Sequence, residues 1–268
     1  VVKMKSKIWI FLVVGFFLFS VLSVNAFISL TYEKVISIPN SPAGYGQLST
    51  NLSHFLVTNS SSTTGGIRVL NREGNAVEGI ITTSNDFGVA TSPNGNSVWV
   101  SSTATTDTIV RYRGTEGVSS FNLLATNPRG IVYNGSVFYV YDSGGTHGVN
   151  TFVYSSNGGK IGNFTLDSGV ANKIAICTYE VIGCNRSNLY IVETNKILYQ
   201  YPSQFVNGST SLPSVLGSVD LTSLVGQTIY GISLNNSHFW VLNGTSGSYS
   251  ITQFTYTTSQ GGGGDITP

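Results

Sequence analysis

An all-β chain, folded as a five-bladed propeller of four-stranded antiparallel blades, is the fold class that these 268 residues predict, on three observations. One short strand pattern recurs five times, with its aligned valines at 57, 100, 140, 192 and 241. Each copy sits among further apolar runs in a fixed order, cut by Gly, Asn, Ser and Asp as tight turns between short strands require. From residue 27 onward no amphipathic helix of ten residues is visible. Four strands repeated every 40 to 50 residues is the sequence form of a propeller, with six blades as the alternative count.

The N-terminal element is of another kind. Lys3, Lys5 and Lys7 precede an apolar run over 8–22, and Ser23-Val24-Asn25-Ala26 supplies a small-residue exit, so residues 1–26 are expected to be a secretory signal cleaved after Ala26. An uncleaved anchor is the alternative, but the run is shorter than the ~20 residues a spanning helix needs. The mature chain is therefore expected to be secreted, at an extracellular surface, with no membrane span. Cleavage removes three of the thirteen Lys+Arg and none of the twelve Asp+Glu, leaving a formal charge of −2. Nucleic acid is excluded as a partner, because that binding needs a basic footprint. Charged residues are only 9% of the chain, against roughly 25% in ordinary soluble domains. Hydration must come from Ser, Thr, Asn and Gly or from attached sugar.

Residues 31–39, "TYEKVISIP", form a strand outside every complete copy. The copies follow: "SHFLVTNSS" from Ser53, "NSVWVSST" from Asn96, "SVFYVYDSG" from Ser136, "SNLYIVETN" from Ser187 and "SHFWVLNG" from Ser237. Each is preceded by an apolar strand ("GQLST", "GVATS", "GIVYN", "KIAIC", "GISLN") and followed by another ("GIRVLN", "TIVRYR", "TFVYSS", "KILYQYP", "SITQFTY"). A weaker fourth strand appears after the first four, clearest in "VSSFNLL" and "KIGNFTL". The fifth copy ends near Thr257 with three strands, which would leave an unpaired edge. The N-terminal strand is expected to fill that place and close the ring, giving a propeller domain over 30–257 and a Gly-rich flexible tail over 258–268.

Residues 127–144, "NPRGIVYNGSVFYVYDSG", followed by "VNTFVYSSNGGKIGNF", resemble one blade of the NHL family of extracellular propellers, with a Pro-x-Gly lead, an Asp at the second-strand exit and a closing G-x-F. "SPNGNSVWVSS", 92–102, is similar to a YVTN repeat. The resemblance spans about 225 residues as a pattern, and implies fold more than activity, since these families hold binding, adhesive and enzymatic members. Only the third copy has the Asp, and the fourth carries a longer hairpin.

Candidate chemistry is sparse. Glycoside hydrolysis needs two carboxylates converging on a sugar, and the expected innermost strands offer only Asp86, just before one of them. His54 and His238 share one repeat position and read as structural turn residues, and His147 falls in a Gly-rich turn. "DSGGTHG", 142–148, supplies one carboxylate, too few for calcium. Its Asp142 is expected to bond the local hairpin backbone. The aromatics Phe55, Trp99, Phe138, Tyr139, Tyr190, Phe239 and Trp240 are expected in the core. Cys177 and Cys184 are expected to form a disulfide in an oxidising compartment. Eight Asn-x-Ser/Thr acceptors occur, at Asn51, Asn59, Asn134, Asn163, Asn185, Asn207, Asn235 and Asn243.

The remaining site is the axial mouth, where Tyr45, Asp86, Arg129, Lys173 and Tyr230 enter the innermost strands. Aromatic, acidic and basic groups together suit a small polar or glycan ligand. No catalytic group, metal or cofactor is assigned. The function expected is a secreted, non-enzymatic recognition or adhesion module for a cell-surface glycan or protein. The alternatives are a self-assembling subunit of an extracellular structure (surface layer, filament or archaeal virus particle) and, third, a glycan-active enzyme.

Overall fold

The computed structural model describes residues 27–39, 44–51, 53–59, 66–80, 86–92, 97–102, 107–125, 127–143, 149–164, 174–176, 188–193, 195–202 and 215–259. Blade 1 comprises β2 (Tyr45–Thr50), β3 (His54–Asn59), β4 (Gly66–Asn71) and β5 (Ala76–Ile80). Blade 2 comprises β6 (Asp86–Thr91), β7 (Val98–Ser102), β8 (Thr108–Arg113) and β9 (Glu116–Asn122). Blade 3 holds β10 (Pro128–Tyr133), β11 (Val137–Ser143), β12 (Val149–Ser155) and β13 (Lys160–Phe164). Blade 4 holds β14 (Ile174–Ile176), β15 (Asn188–Val192), β16 (Ile197–Pro202) and β17 (Gly217–Asp220). Blade 5 is built from β18 (Thr228–Leu234), β19 (His238–Thr245), β20 (Ser248–Ser259) and, outermost, β1 (Phe27–Ile38). Five four-stranded antiparallel sheets in a ring make a β-propeller.

The N-terminal strand closes the ring as the open edge of the fifth copy requires. β1 pairs with β20 from Phe27↔Ser259 to Ile38↔Tyr249, with a bulge at Glu33. Ile36 and Ile38 are buried in the seam with blade 1; burial of each contributes about 1.5–3 kcal/mol. The paired strands run from residue 27 to residue 259, slightly beyond the expected 30–257, so Thr258 and Ser259 belong to the blade rather than to a tail.

Each second strand packs on both faces, which is why its sequence is a continuous apolar run rather than an alternating one. Phe138, Tyr139, Val140 and Tyr141 of β11 are each at most 2% exposed. Phe55, Trp99, Tyr190, Phe239 and Trp240 are likewise buried, so the aromatics serve the core. The core is five clusters, one per seam between neighbouring blades.

All five innermost strands run in one direction around the axis. Ser49 Oγ meets Thr91 Oγ1 at 3.3 Å, Thr50 Oγ1 meets Ser233 Oγ at 3.1 Å, and a Cβ on Gly88 would touch the Arg129 carbonyl. The starts of these strands therefore share one face of the ring, called here the mouth face. The turns from first to second strand share the opposite one, the turn face.

Candidate functional site

At the mouth, a bulge opens the first strand of four blades. Gly88, Gly130 and Gly231 pair with Ser101, Tyr141 and Leu242, leaving Phe87, Arg129 and Tyr230 as the inserted residues. In blade 1 the ladder passes from Tyr45↔Asn59 to Leu48↔Val57. Register thus equates Gln47, not Gly46, with the three glycines, and Tyr45 with Asp86, Pro128 and Ile229. The bulge re-aims a side chain at the strand's start, and this corrects the expected mouth. Arg129 and Tyr230 occupy the bulge, and both are half-buried. Tyr45 is one position earlier and 3% exposed, packed in the seam of blades 5 and 1. Asp86 is the first residue of β6 rather than a residue ahead of it. Lys173 lies outside the described residues.

Glycine in the equivalent slots follows from space. A Cβ on Gly231 would sit 2.5 Å from the backbone nitrogen of Leu48, and one on Gly88 would sit 2.6 Å from the Arg129 carbonyl oxygen. Where blade 1 has Gln47 instead, the side chain crosses the axis. Its Oε1 accepts from the Val89 and Ile131 N–H groups at 3.0 and 2.9 Å. Its Nε2 donates to the Ile131 and Ile174 carbonyls at 2.7 and 3.3 Å. One 1%-exposed amide thereby satisfies backbone groups on the inner edges of blades 2, 3 and 4, which have no further strand to pair with. The axial cavity beside it, lined by Gln47, Ser49, Ile131, Ile174 and Ser233 among others, measures only about 10 Å³, room for about one water. The cavity is too small for anything much larger than one water.

The blade 5–1 seam beside the mouth is aromatic and cationic. Tyr249 lies 4.8 Å from Tyr45 and 4.9 Å from Tyr230, ring centre to ring centre. The Arg68 guanidinium donates to the Tyr45 hydroxyl at 2.9 Å, and the Gly44 N–H donates to the Tyr249 hydroxyl at 3.2 Å. Burial raises the pKa of Tyr45 even though Arg68 opposes it. Burial, then the neighbouring Tyr249, raises that of Tyr230. Burial lowers that of the Arg129 guanidinium, the charged form being the one disfavoured.

Across the ring, Asp107 directly precedes β8 of blade 2 and Asp142 lies in β11 of blade 3. The Asp107 carboxyl is pushed up first by burial and then by the charge of Asp142. Asp142, fully buried, accepts from the Asn127 N–H at 3.1 Å, fifteen residues away; the hairpin over 144–148 that it was expected to bond lies outside the described residues. Among the described residues no group of three or more His, Cys, Asp or Glu could hold a metal.

The sequons separate by place. Asn51, Asn134 and Asn235 lie in the turns from first to second strand, Asn59 and Asn163 lie in β3 and β13, and Asn243 is buried in β19. Asn185, Asn207, Cys177, Cys184 and His147 lie outside the described residues. His54 and His238 begin β3 and β19 and take part in the same contact, each Nδ1 meeting the preceding serine hydroxyl at 2.8 and 2.7 Å. Sequence reasoning missed Gln47, Arg68, Tyr249 and Asp107. A glutamine standing where three other blades have glycine was the one available signal, and it is legible only once the bulge is known.

Two solved propellers are similar to this chain. The Dos1 propeller superposes with a TM-score of 0.44 at 9% identity, over 84% of this chain and 55% of that one. The β-propeller domain of Myceliophteria thermophila Cps50 (Swd1) gives 0.49 at 8% identity, over 85% of this chain and 100% of that one. The chain spans about half of the Dos1 structure. No protein-family model matches the chain, and no curated protein matches it in sequence. The five-bladed ring stands on its own strand pairing.

Proposed function

We propose that this chain is a secreted, non-enzymatic recognition module that presents the mouth face of a rigid ring to a glycan at a cell or particle surface. The observation that carries the reading is that equivalent mouth positions, uniform in backbone, differ in side chain: Phe87, Arg129 and Tyr230. The seam beside Tyr230 adds the half-buried Arg68, held by the hydroxyl of the buried Tyr45. Phenol rings offer flat apolar area with a polar edge, and guanidinium groups offer planar donors to hydroxyl or carboxylate oxygens, the combination that a sugar engages. Export is supported by the charged head, the short apolar run and the small-residue exit at Ala26. The likeness of residues 127–144 to an NHL blade agrees with an extracellular propeller.

A glycan array probed with the wild-type protein and with an Arg68→Ser/Arg129→Ser/Tyr230→Ser variant tests this. Binding by the wild type that is lost in a variant with unchanged thermal midpoint is expected. Binding that survives in the variant, or binding to protein partners alone, contradicts it. Hydrolysis of an array sugar, abolished by Asp86→Asn, would restore the enzymatic alternative.

A second reading, a subunit of an extracellular assembly, is favoured by one observation. Tyr32 and Val35 on the outermost strand β1 are each 54% exposed, and β1 pairs only with β20 among the described strands, so an apolar edge is available to a neighbour. Mass photometry decides: an ordered multimer supports assembly, and a monomer removes it.

A further inference from the structure

We propose that Asn51, Asn134 and Asn235 carry N-linked glycans and that Asn243 does not, so that covalent sugar is placed on the turn face. This rests on the reading of the chain as exported. Each of the three asparagines follows the axial residue of its blade (Leu48, Ile131, Ile232) by three positions and caps the same hairpin. In each, Oδ1 accepts two backbone N–H groups: Ser53 and His54 at 3.0 and 2.8 Å, Ser136 and Val137 at 2.9 and 2.8 Å, Ser237 and His238 at 2.9 and 2.8 Å. The asparagine N–H donates in turn to the carbonyl three residues on, at 3.1, 3.2 and 3.0 Å. This is an Asx turn. It uses the amide oxygen and leaves the amide nitrogen, the atom that is glycosylated, without a partner among the described residues.

The same three tips are open. Ser53, Gly135, Ser136, Asn236 and Ser237 are exposed, and each tip carries the serine hydroxyl that completes the acceptor motif. Blade 2 has Ser92 at the equivalent position, with Oγ accepting from the Ser97 N–H at 2.9 Å. It keeps the device without a glycan acceptor. Asn243 is the opposite case. It is 7% exposed, its Oδ1 accepts from Thr252 Oγ1 at 2.9 Å, and β19 is paired on both sides there, to Ile229 and Ser250. A sugar on its nitrogen has no space in the closed blade.

The transfer requires a phosphate-activated, lipid-linked sugar donor supplied by the exporting membrane. A bond forms between Nδ2 and the sugar C1, the C1–O bond to phosphate breaks, and the lipid phosphate leaves with the proton released from Nδ2. No oxidant or reductant enters.

The test is glycopeptide mapping of the full chain secreted from a glycosylating host, in two preparations: one relying on its own residues 1–26, the other with a host export leader ahead of Val1. Failure of export in the first alone overturns the export reading and leaves the second to judge the sites. Occupied Asn51, Asn134 and Asn235 with bare Asn243 is expected. Ser136→Ala, which removes the acceptor hydroxyl and keeps the Asn134 turn, should lose the Asn134 glycan with no change in thermal midpoint. Bare turn sites in exported protein, or a glycan on Asn243, overturns the inference.

Discussion

The two faces of the ring are built from the same five strand pairs, yet they use their equivalent positions in opposite ways. On the turn face Asn51, Asn134 and Asn235 repeat one Asx turn and Ser92 performs the same task with a hydroxyl. On the mouth face the bulges of blades 2, 3 and 5 repeat in backbone, while their side chains are Phe87, Arg129 and Tyr230. Where every blade must solve one folding problem, the residues converge. Where the backbone is already fixed, the side chains differ from blade to blade. Gln47 belongs to the first class although it is unique, because its amide closes the axis for three blades at once.

This contrast is broken most severely by opening the ring. Deleting Phe27–Ile38 removes the outer strand of blade 5 and its buried isoleucines. It should take away most of a domain stability of roughly 5–15 kcal/mol, seen as collapse of the urea midpoint. An unchanged midpoint would mean that β1 is dispensable. Gln47→Leu comes next. It strands the Val89 N–H, the Ile131 N–H and carbonyl, and the Ile174 carbonyl. At about 1–3 kcal/mol per orphaned buried group, the total is roughly 3–6 kcal/mol if part of the set is rescued by water. Arg129→Ser should change the urea midpoint by far less.

Alkaline pH probes the seams. Burial pushes the Tyr139 and Tyr190 hydroxyls up to about 12. Between about pH 10 and 12 the unfolded chain has released protons that the folded chain still holds, so stability is full below pH 10 and falls as pH rises through that window. Spectrophotometric titration should show these phenols ionising late, and Tyr139→Phe should flatten the decline. Smallest is the turn itself. Asn134→Ala loses one exposed and one partly buried hydrogen bond and should cost about 1–2 kcal/mol. Ser136→Ala should stay within about 0.5 kcal/mol.

Much of this architecture was legible because the repeat is written in apolar residues. The blade count, the strand order and the closing role of the N-terminal strand follow from five similar runs and one unfilled edge. The errors are all errors of one residue or of one remote partner. A bulge adds a residue that spacing cannot reveal, so Tyr45 was placed at the mouth and Gln47 was passed over. In blade 4 the residue opposite the axial Ile174 is Ile191, not Val192, because two adjacent β-branched residues fit the pattern equally well. The bond that Asp142 accepts from the Asn127 N–H was not foreseen, because a strand pairing and not spacing brings the two together. Arg68 and Tyr249 lie on the third strands of blades 1 and 5, and only closure of the ring brings them to one seam.

The central claim is that recognition belongs to the mouth. Hydrogen exchange with and without the strongest array glycan tests it most directly. The account predicts slowed exchange at 44–47, 86–88, 128–130 and 228–231, with the tips at 51–54, 134–137 and 235–238 unchanged. Protection at the tips with an unaffected mouth would contradict it.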